Sequence, residues 1–185
     1  MTGRTRVVIN RVRRLEIAVD LPFEEFRQRY EEAVPSFDPG QFRDLDPDRT
    51  DWATIRRITD QQAPHDFLLY WRNETYRMMR VAGHETRCTA YLMGNHTIAE
   101  RMYRNNPGVM LYAPLRTTIY EDHDDRLWFS VDQPSTRFSS FDDPEIAEVG
   151  EYLDGKLADL FTALGLVVPA GLTRWTGTGD RRELS

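Results

Sequence analysis

A stripe of apolar residues near the C-terminal end is the feature that most constrains how this chain can fold. Its members recur every three or four positions: Ile146, Val149, Leu153, Leu157, Leu160 and Leu164. This spacing predicts one apolar face of a long α-helix, with Asp143 as its N-terminal cap and Gly165 at its end. Because such a face is stable only when it is buried, the helix must pack on a second layer of the protein.

The first third of the chain shows a strand pattern followed by two helix patterns. Apolar residues at near-alternate positions predict a strand over residues 7–19. Helical spacing from Phe23 predicts a helix that ends at Pro35, with charged residues on its other side. Thr50 is the expected cap of a short second helix, which Pro64 closes.

The middle of the chain adds two strands and a short helix. Residues 66–73 and 86–94 are dense in aliphatic and aromatic side chains, which favours strands. Residues 74–85 between them fit either an extension of a strand or a helical turn. Thr97 and Glu100 have the spacing of a capping box and predict a short helix after the second of these strands.

A hairpin precedes the long C-terminal helix. Alternating residues over 109–120 and 126–132 predict two antiparallel strands joined by an acidic turn. The expected order is β-α-(α)-β-β-α-β-β-α, which is an α+β fold with an antiparallel sheet and helices on one face. We expect a single domain over residues 1–175 and a disordered polar tail over 176–185.

Charge and composition exclude several classes of function. The formal charge of −6 opposes nucleic acid as a partner, because phosphate binding depends on clustered cations. No run of about 18 apolar residues predicts a membrane span, and the N-terminal arginines are not followed by the apolar stretch of a secretory signal, so we predict a cytoplasmic protein. Cys88 is the single cysteine and no two histidines have one-turn helical spacing, so we predict no disulfide and no metal site.

One segment of the chain resembles a known family, and it contains the sequences "LMGN", "NNPGVMLYAPLRTTIYED" and "RLWFSV". This segment resembles the core of the bacterial family catalogued as domain of unknown function 302. The matching positions are Gly94, Asn95, Asn106, Pro107, Leu111, Pro114, Leu115, Glu121 and Asp122. The resemblance covers roughly residues 66–164 and implies an α+β fold similar to that of the TATA-binding protein, often as a homodimer. It implies no activity. Two positions depart from the family pattern. His96 stands where the family has proline, and Tyr112 stands where the family has aspartate.

Polar and aromatic groups around these departures suggest a ligand pocket. His96 follows a strand at the start of a helix, where the positive end of the helix dipole favours a neutral imidazole that could act as acid or base. Arg72 and Arg116 could clamp a carboxylate if they face inward. The residues predicted to bind a ligand are Trp71, Tyr91, Asn95, His96, Tyr112 and Arg116. The plainer alternative is that the aromatic residues are core and that His96 only caps its helix.

Three functions stay open at this point. The first is binding of a small aromatic or apolar molecule in a cleft between the sheet and the C-terminal helix. The second is a cofactor-independent enzyme of small-molecule metabolism that uses His96 as acid or base. The third is a homodimeric interaction or scaffold protein. No motif predicts a cofactor, although a haem or a flavin would need no more than a histidine and an aromatic pocket.

Overall fold

The computed structural model describes residues 3–43, 45–46 and 48–172. In that part of the chain the strands are β1 Arg14–Val19, β2 Leu68–Asn73, β3 Cys88–Gly94, β4 Leu115–Glu121 and β5 Leu127–Asp132. The α-helices are α1 Phe23–Ala33, α2 Trp52–Gln62, α3 Tyr76–Val81, α4 His96–Tyr103, α5 Pro134–Phe138 and α6 Pro144–Leu164. Short 3-10 turns occupy Pro39–Phe42, Pro107–Leu111 and Ser139–Phe141.

The strands form one antiparallel sheet in the order β1-β5-β4-β3-β2. This arrangement confirms the predicted α+β class and the predicted hairpin of β4 and β5. The sheet order also places β1 next to β5. β1 and β2 form the two opposite edges of the sheet. Among the described helices, none combines the length and the apolar character that crossing a bilayer requires.

Alternation along the strands divides the sheet into a covered face and a more open face. In β4 and β5 every second side chain is buried, and the side chains between them stay partly or fully exposed. Phe129 of β5 shows what covers the buried face: its ring contacts Phe26 of α1 at 6.1 Å and Phe161 of α6 at 5.7 Å between centroids. The predicted apolar stripe of α6 is buried over its whole length.

Several predicted boundaries are wrong for identifiable reasons. The first strand begins at Arg14 rather than near residue 7, because its partner β5 ends at Asp132 opposite Arg14 and leaves the earlier residues without a neighbouring strand. Asn95 caps α4, two positions before the predicted cap Thr97. Asp51 similarly replaces the predicted cap Thr50 of α2.

Other differences concern whole segments. The undecided segment after β2 contains the short helix α3. The predicted strand over 109–120 instead begins as the 3-10 turn Pro107–Leu111 and continues as β4. The helix α5 was not predicted, since its five residues are too few to show a helical period. The polar tail predicted over 176–185 lies outside the described residues.

A buried carboxylate joins the two C-terminal helices to the N-terminal edge of the sheet. Asp154 of α6 accepts hydrogen bonds from the backbone N–H and the hydroxyl of Ser135, at 2.9 and 2.6 Å. It also accepts one from the amide of Gln133, whose oxygen in turn accepts from Arg13 at 3.1 Å. Arg13 donates further to the carbonyl of Ala170, so this network holds four separate parts of the chain together.

Asp154→Ala should lower the free energy of unfolding by about 3 kcal/mol, because it removes the acceptor of the partly buried Ser135 N–H and hydroxyl and the shortest hydrogen bond of the buried Gln133 amide. Urea denaturation followed by circular dichroism measures this loss. Glu148→Ala is the matched control, since it removes an exposed carboxylate from the same helix and should change stability by less than about 0.5 kcal/mol. Equal effects of the two substitutions would show that the network around Asp154 does not stabilise the fold.

Candidate functional site

An apolar cavity of about 360 Å³ lies on the covered side of the sheet, where β3 ends and β4 begins. Its walls come from α4, the 3-10 turn Pro107–Leu111 and the strand ends, with one contribution each from α5 and α6. The side chains that give the cavity its apolar character are Phe67, Ile98, Met102, Met110, Phe138 and Leu153. The cavity therefore reaches the C-terminal helix, as predicted for the cleft, but α4 forms more of its wall than α6 does.

The close approach of two strand ends shapes one wall of the cavity. Gly94 ends β3 beside Pro114, and a Cβ atom at Gly94 would lie only 3.1 Å from the Cβ of Pro114. A glycine therefore lets the two strands meet without displacing Pro114 into the cavity. The next residue, Asn95, turns the chain into α4.

Asn95 uses both the oxygen and the nitrogen of its side-chain amide in hydrogen bonds within the protein. Its oxygen accepts hydrogen bonds from the backbone N–H groups of Thr97 and Ile98, at 2.9 and 3.4 Å, and from the Thr97 hydroxyl at 2.7 Å. Its amide nitrogen donates to the carbonyl of Asp66 at 3.0 Å. Asn95 is thus a helix cap that also fixes the loop before β2.

His96 connects three elements through hydrogen bonds at both of its ring nitrogens. Its Nε2 lies 2.7 Å from the Thr59 hydroxyl on α2, and its Nδ1 lies 2.7 Å from the Tyr70 hydroxyl on β2. The backbone N–H of His96 also donates to the Tyr70 oxygen, at 3.1 Å. Phe37 and Phe42 pack edge-on against the imidazole, with centroids 5.7 and 5.2 Å away.

The direction of these hydrogen bonds assigns a neutral imidazole with its proton on Nε2. The Thr59 hydroxyl donates to the carbonyl of Ile55 at 2.9 Å, so it must accept from Nε2. The Tyr70 oxygen already accepts from the His96 backbone, so its own proton is free to bond Nδ1. Burial lowers the pKa of His96 below its ordinary value of 6.5, and burial raises the pKa of Tyr70 to about 12, so both groups stay neutral near pH 7.

The polar groups at the cavity wall therefore already have hydrogen-bonding partners within the protein. Asn95, His96 and Tyr70 all bond other protein groups, as described above. At the rim, Glu100 forms an ion pair with Arg104 at 2.6 Å. The cavity therefore offers a ligand an apolar surface with few polar atoms that could form hydrogen bonds to it.

The structure brings together only two of the six residues predicted to bind a ligand. Asn95 and His96 line the cavity. Tyr91 is fully buried beneath α1, where its hydroxyl donates to Glu31 at 2.9 Å, and burial together with this hydrogen bond raises its pKa. Its contacts are those of a core tyrosine with a satisfied hydroxyl.

The other three predicted residues lie elsewhere. Tyr112 and Arg116 line a second, smaller cavity, and Trp71 is about half exposed on the edge strand β2. The alternation of a strand explains the separation, because Leu115 points into the apolar cavity and Arg116 points to the opposite face.

Two residues that organise the site were missed. Tyr70 was not among the six residues predicted to bind a ligand, and nothing in the sequence pairs it with His96. Thr59 could have been found, because it lies one helical turn after Ile55 on the side of α2 that faces the protein. Within the described residues, no three His, Cys, Asp or Glu side chains converge to hold a metal ion.

Comparisons with known proteins agree on the fold of this chain. The sequence model of a family described as Domain of unknown function DUF302 matches residues 52–164. Among solved structures, the chain is similar to the crystal structure of uncharacterized conserved protein DUF302 from Bacillus stearothermophilus, with a TM-score of 0.59 and 15% sequence identity. The similarity covers 82% of this chain and 97% of that one, and at this identity it shows the fold alone. The sequence matches none of the curated proteins.

The partly buried imidazole of His96 should make the free energy of unfolding depend on pH. The unfolded chain protonates His96 near pH 6.5, whereas burial keeps the folded pKa lower. Between these values the unfolded state binds more protons, so the free energy of unfolding should fall as the pH is lowered through about 6.5. Denaturant titrations between about pH 7.5 and 5.5 measure this slope.

His96→Gln should flatten that slope, because it removes the titrating group and keeps a polar side chain. The control is His84→Gln, which replaces an exposed histidine and should leave the slope as it is in the unmodified protein. If His96→Gln retains the full slope, the imidazole is not the neutral buried group described here.

Proposed function

Because this chain belongs to the DUF302 family, which is defined by a domain of unknown function, we propose its function from the apolar cavity. The protein binds a small uncharged molecule whose buried part is hydrocarbon, either an aromatic ring system or a short chain. The single observation that carries the proposal is an apolar cavity of about 360 Å³ whose polar wall groups already have partners.

Cavity size and chemistry both support this ligand class. Ligand sites commonly enclose about 300–1,000 Å³ and are lined mainly by apolar and aromatic side chains. Apolar cavities of this kind hold little ordered water and accept hydrocarbons. A ligand gains about 25 cal/mol for each Å² of apolar surface that it removes from water. A charged group would lose its hydration there and find no free hydrogen-bonding partner in exchange.

The wall can adapt to the shape of its ligand. Met102 and Met110 contribute flexible thioethers, which fit irregular apolar molecules and contact aromatic rings favourably. Phe67 and Phe138 contribute flat, fully buried rings. At the rim, Tyr103 and Met110 are each about half exposed, so a ligand can enter between them without opening the core.

The enzyme alternative draws less support from the same site. A general acid or base must reach a substrate proton with an available nitrogen or oxygen. Both ring nitrogens of His96 bond Thr59 and Tyr70, and Phe37 and Phe42 pack against the ring. These contacts suit a positioning role, so the proposed function includes no catalytic step.

Naphthalene tests the proposal, because it is uncharged, apolar and small enough for the cavity. At a free concentration about ten times its Kd it should stabilise the protein by about 1.4 kcal/mol and raise Tm accordingly. Ala99→Phe should abolish the shift, since Ala99 lines the cavity and a phenyl ring there fills it. Calorimetric unfolding with and without naphthalene measures the effect.

Ala53→Phe is the matched control, because it adds the same ring to an exposed position of α2 that does not line the cavity. It should respond to naphthalene as the unmodified protein does. A shift that persists in Ala99→Phe would place naphthalene outside the cavity and contradict the proposal. No shift in the unmodified protein would contradict it as well.

A further inference from the structure

A row of side chains crosses the more open face of the sheet at the end where β4 begins. Its members are Arg14, Asp132, Arg116, Leu92 and Trp71. On neighbouring strands, Arg14 lies opposite Asp132, Arg116 lies opposite Leu92, and Leu92 lies opposite Trp71. Arg116, Asp132 and Leu92 line one cavity of about 280 Å³. This cavity and the apolar one share Pro114 and Leu115 as a wall, so they lie back to back at the same end of the sheet.

Positive charge exceeds negative charge around this second cavity. Arg137 donates to Asp132 through Nε at 3.2 Å and through a closer Nη2, and Arg14 lies 3.8 Å from the same carboxylate. In the described part of the chain, Arg116 has no carboxylate within ion-pair distance. Two guanidinium groups therefore share one carboxylate and the third, that of Arg116, pairs with none, which leaves two positive charges in excess on a protein whose formal charge is −6.

The rest of the cavity is apolar and aromatic. Leu92, Leu111 and Pro114 supply aliphatic surface, and Leu111 is mostly exposed. The Tyr112 ring forms one side, with the guanidinium of Arg137 lying 5.1 Å from its centroid. A cationic group beside an apolar surface is the arrangement that recognises a molecule with one anionic end and one apolar end.

We propose that this second cavity binds a small organic monocarboxylate. Arg116 takes the carboxylate in a two-pronged hydrogen bond, and the apolar body of the ligand lies along Leu92 and Leu111. The planar guanidinium matches a carboxylate in geometry, and Arg137 is held in place by Asp132 and Tyr112 rather than free to move. The site is independent of the apolar cavity, whose interior would exclude the same charged group.

A carboxylate fits the charge of the site better than a phosphate does. Asp132 offsets part of the positive charge and lies in the same cavity, where it would repel a dianion more strongly than a monoanion. The aliphatic wall adds contact area for a carbon skeleton and none for an inorganic ion. Inorganic phosphate is therefore a probe that distinguishes a carboxylate site from a surface that binds any anion.

Benzoate, benzyl alcohol and inorganic phosphate test the proposal when their binding is followed by residue-resolved NMR titration. Benzoate should shift the amide signals of Leu92, Tyr112 and Arg116, and the affinity should fall as salt is raised. Benzyl alcohol has the same ring without the charge, so it should leave these signals unchanged. Signals of Ala99 and Met102 report the apolar cavity separately, so either proposal can fail while the other stands.

Arg116→Gln should weaken benzoate binding about tenfold, the effect of losing one charged hydrogen-bonding partner. Arg116 is exposed and pairs with no carboxylate among the residues that the structure describes, so the variant should keep the Tm of the unmodified protein. Arg29→Gln is the matched control, because it removes an exposed arginine of α1 on the covered side of the sheet, and it should leave the affinity unchanged.

Three results would overturn the proposal. One is equal benzoate affinity in Arg116→Gln and the unmodified protein. Another is a benzyl alcohol titration that shifts the signals of Leu92 and Arg116 as benzoate does. The third is phosphate binding at these residues at least as tight as that of benzoate, which would indicate a general cationic surface.

Discussion

A β-strand turns successive side chains to opposite faces of its sheet, and this protein buries one of those faces beneath helices and leaves the other partly exposed. The consequence is clearest at the start of β4. Leu115 lines the apolar cavity among the helices, while its neighbour Arg116 points to the open face and borders the charged cavity. Two adjacent residues thus belong to two chemically different surfaces, separated by the thickness of one strand.

The buried polar groups show how the covered side stays ordered around a cavity. Tyr70 and Thr59 each form a hydrogen bond with a ring nitrogen of His96, which links three elements, and Asn95 caps α4 while it holds the loop before β2. A buried network in which every member is paired is rigid, whereas a partly paired one destabilises the fold. Because these groups bond each other, the cavity surface that remains is apolar. The network therefore determines the chemistry of the cavity as much as its shape.

The sequence predicted features that depend on local chemistry or on a regular period. The length and the buried face of α6 follow from the spacing of its leucines and from its caps, Asp143 and Gly165. The β4–β5 hairpin follows from alternation around an acidic turn. Predictions failed where the pattern is short or ambiguous. Thr97 and Asn95 are both good caps by type, and only the backbone geometry decides that Asn95 accepts the hydrogen bonds.

The sequence by itself determined the α+β class, the succession of five strands along the chain and the long C-terminal helix. Only the tertiary structure decided which polar side chains meet. Tyr70 and His96 are far apart in the sequence and come together because antiparallel pairing of β2 with β3 brings the start of β2 to the end of β3. The tertiary structure also separated Tyr91 from Tyr112 and Arg116, and all three from the cavity lined by Asn95 and His96, although the sequence analysis had placed them in one cleft. The physical reason is that the face to which a strand residue points depends on register, and register is fixed by long-range packing rather than by neighbouring residues.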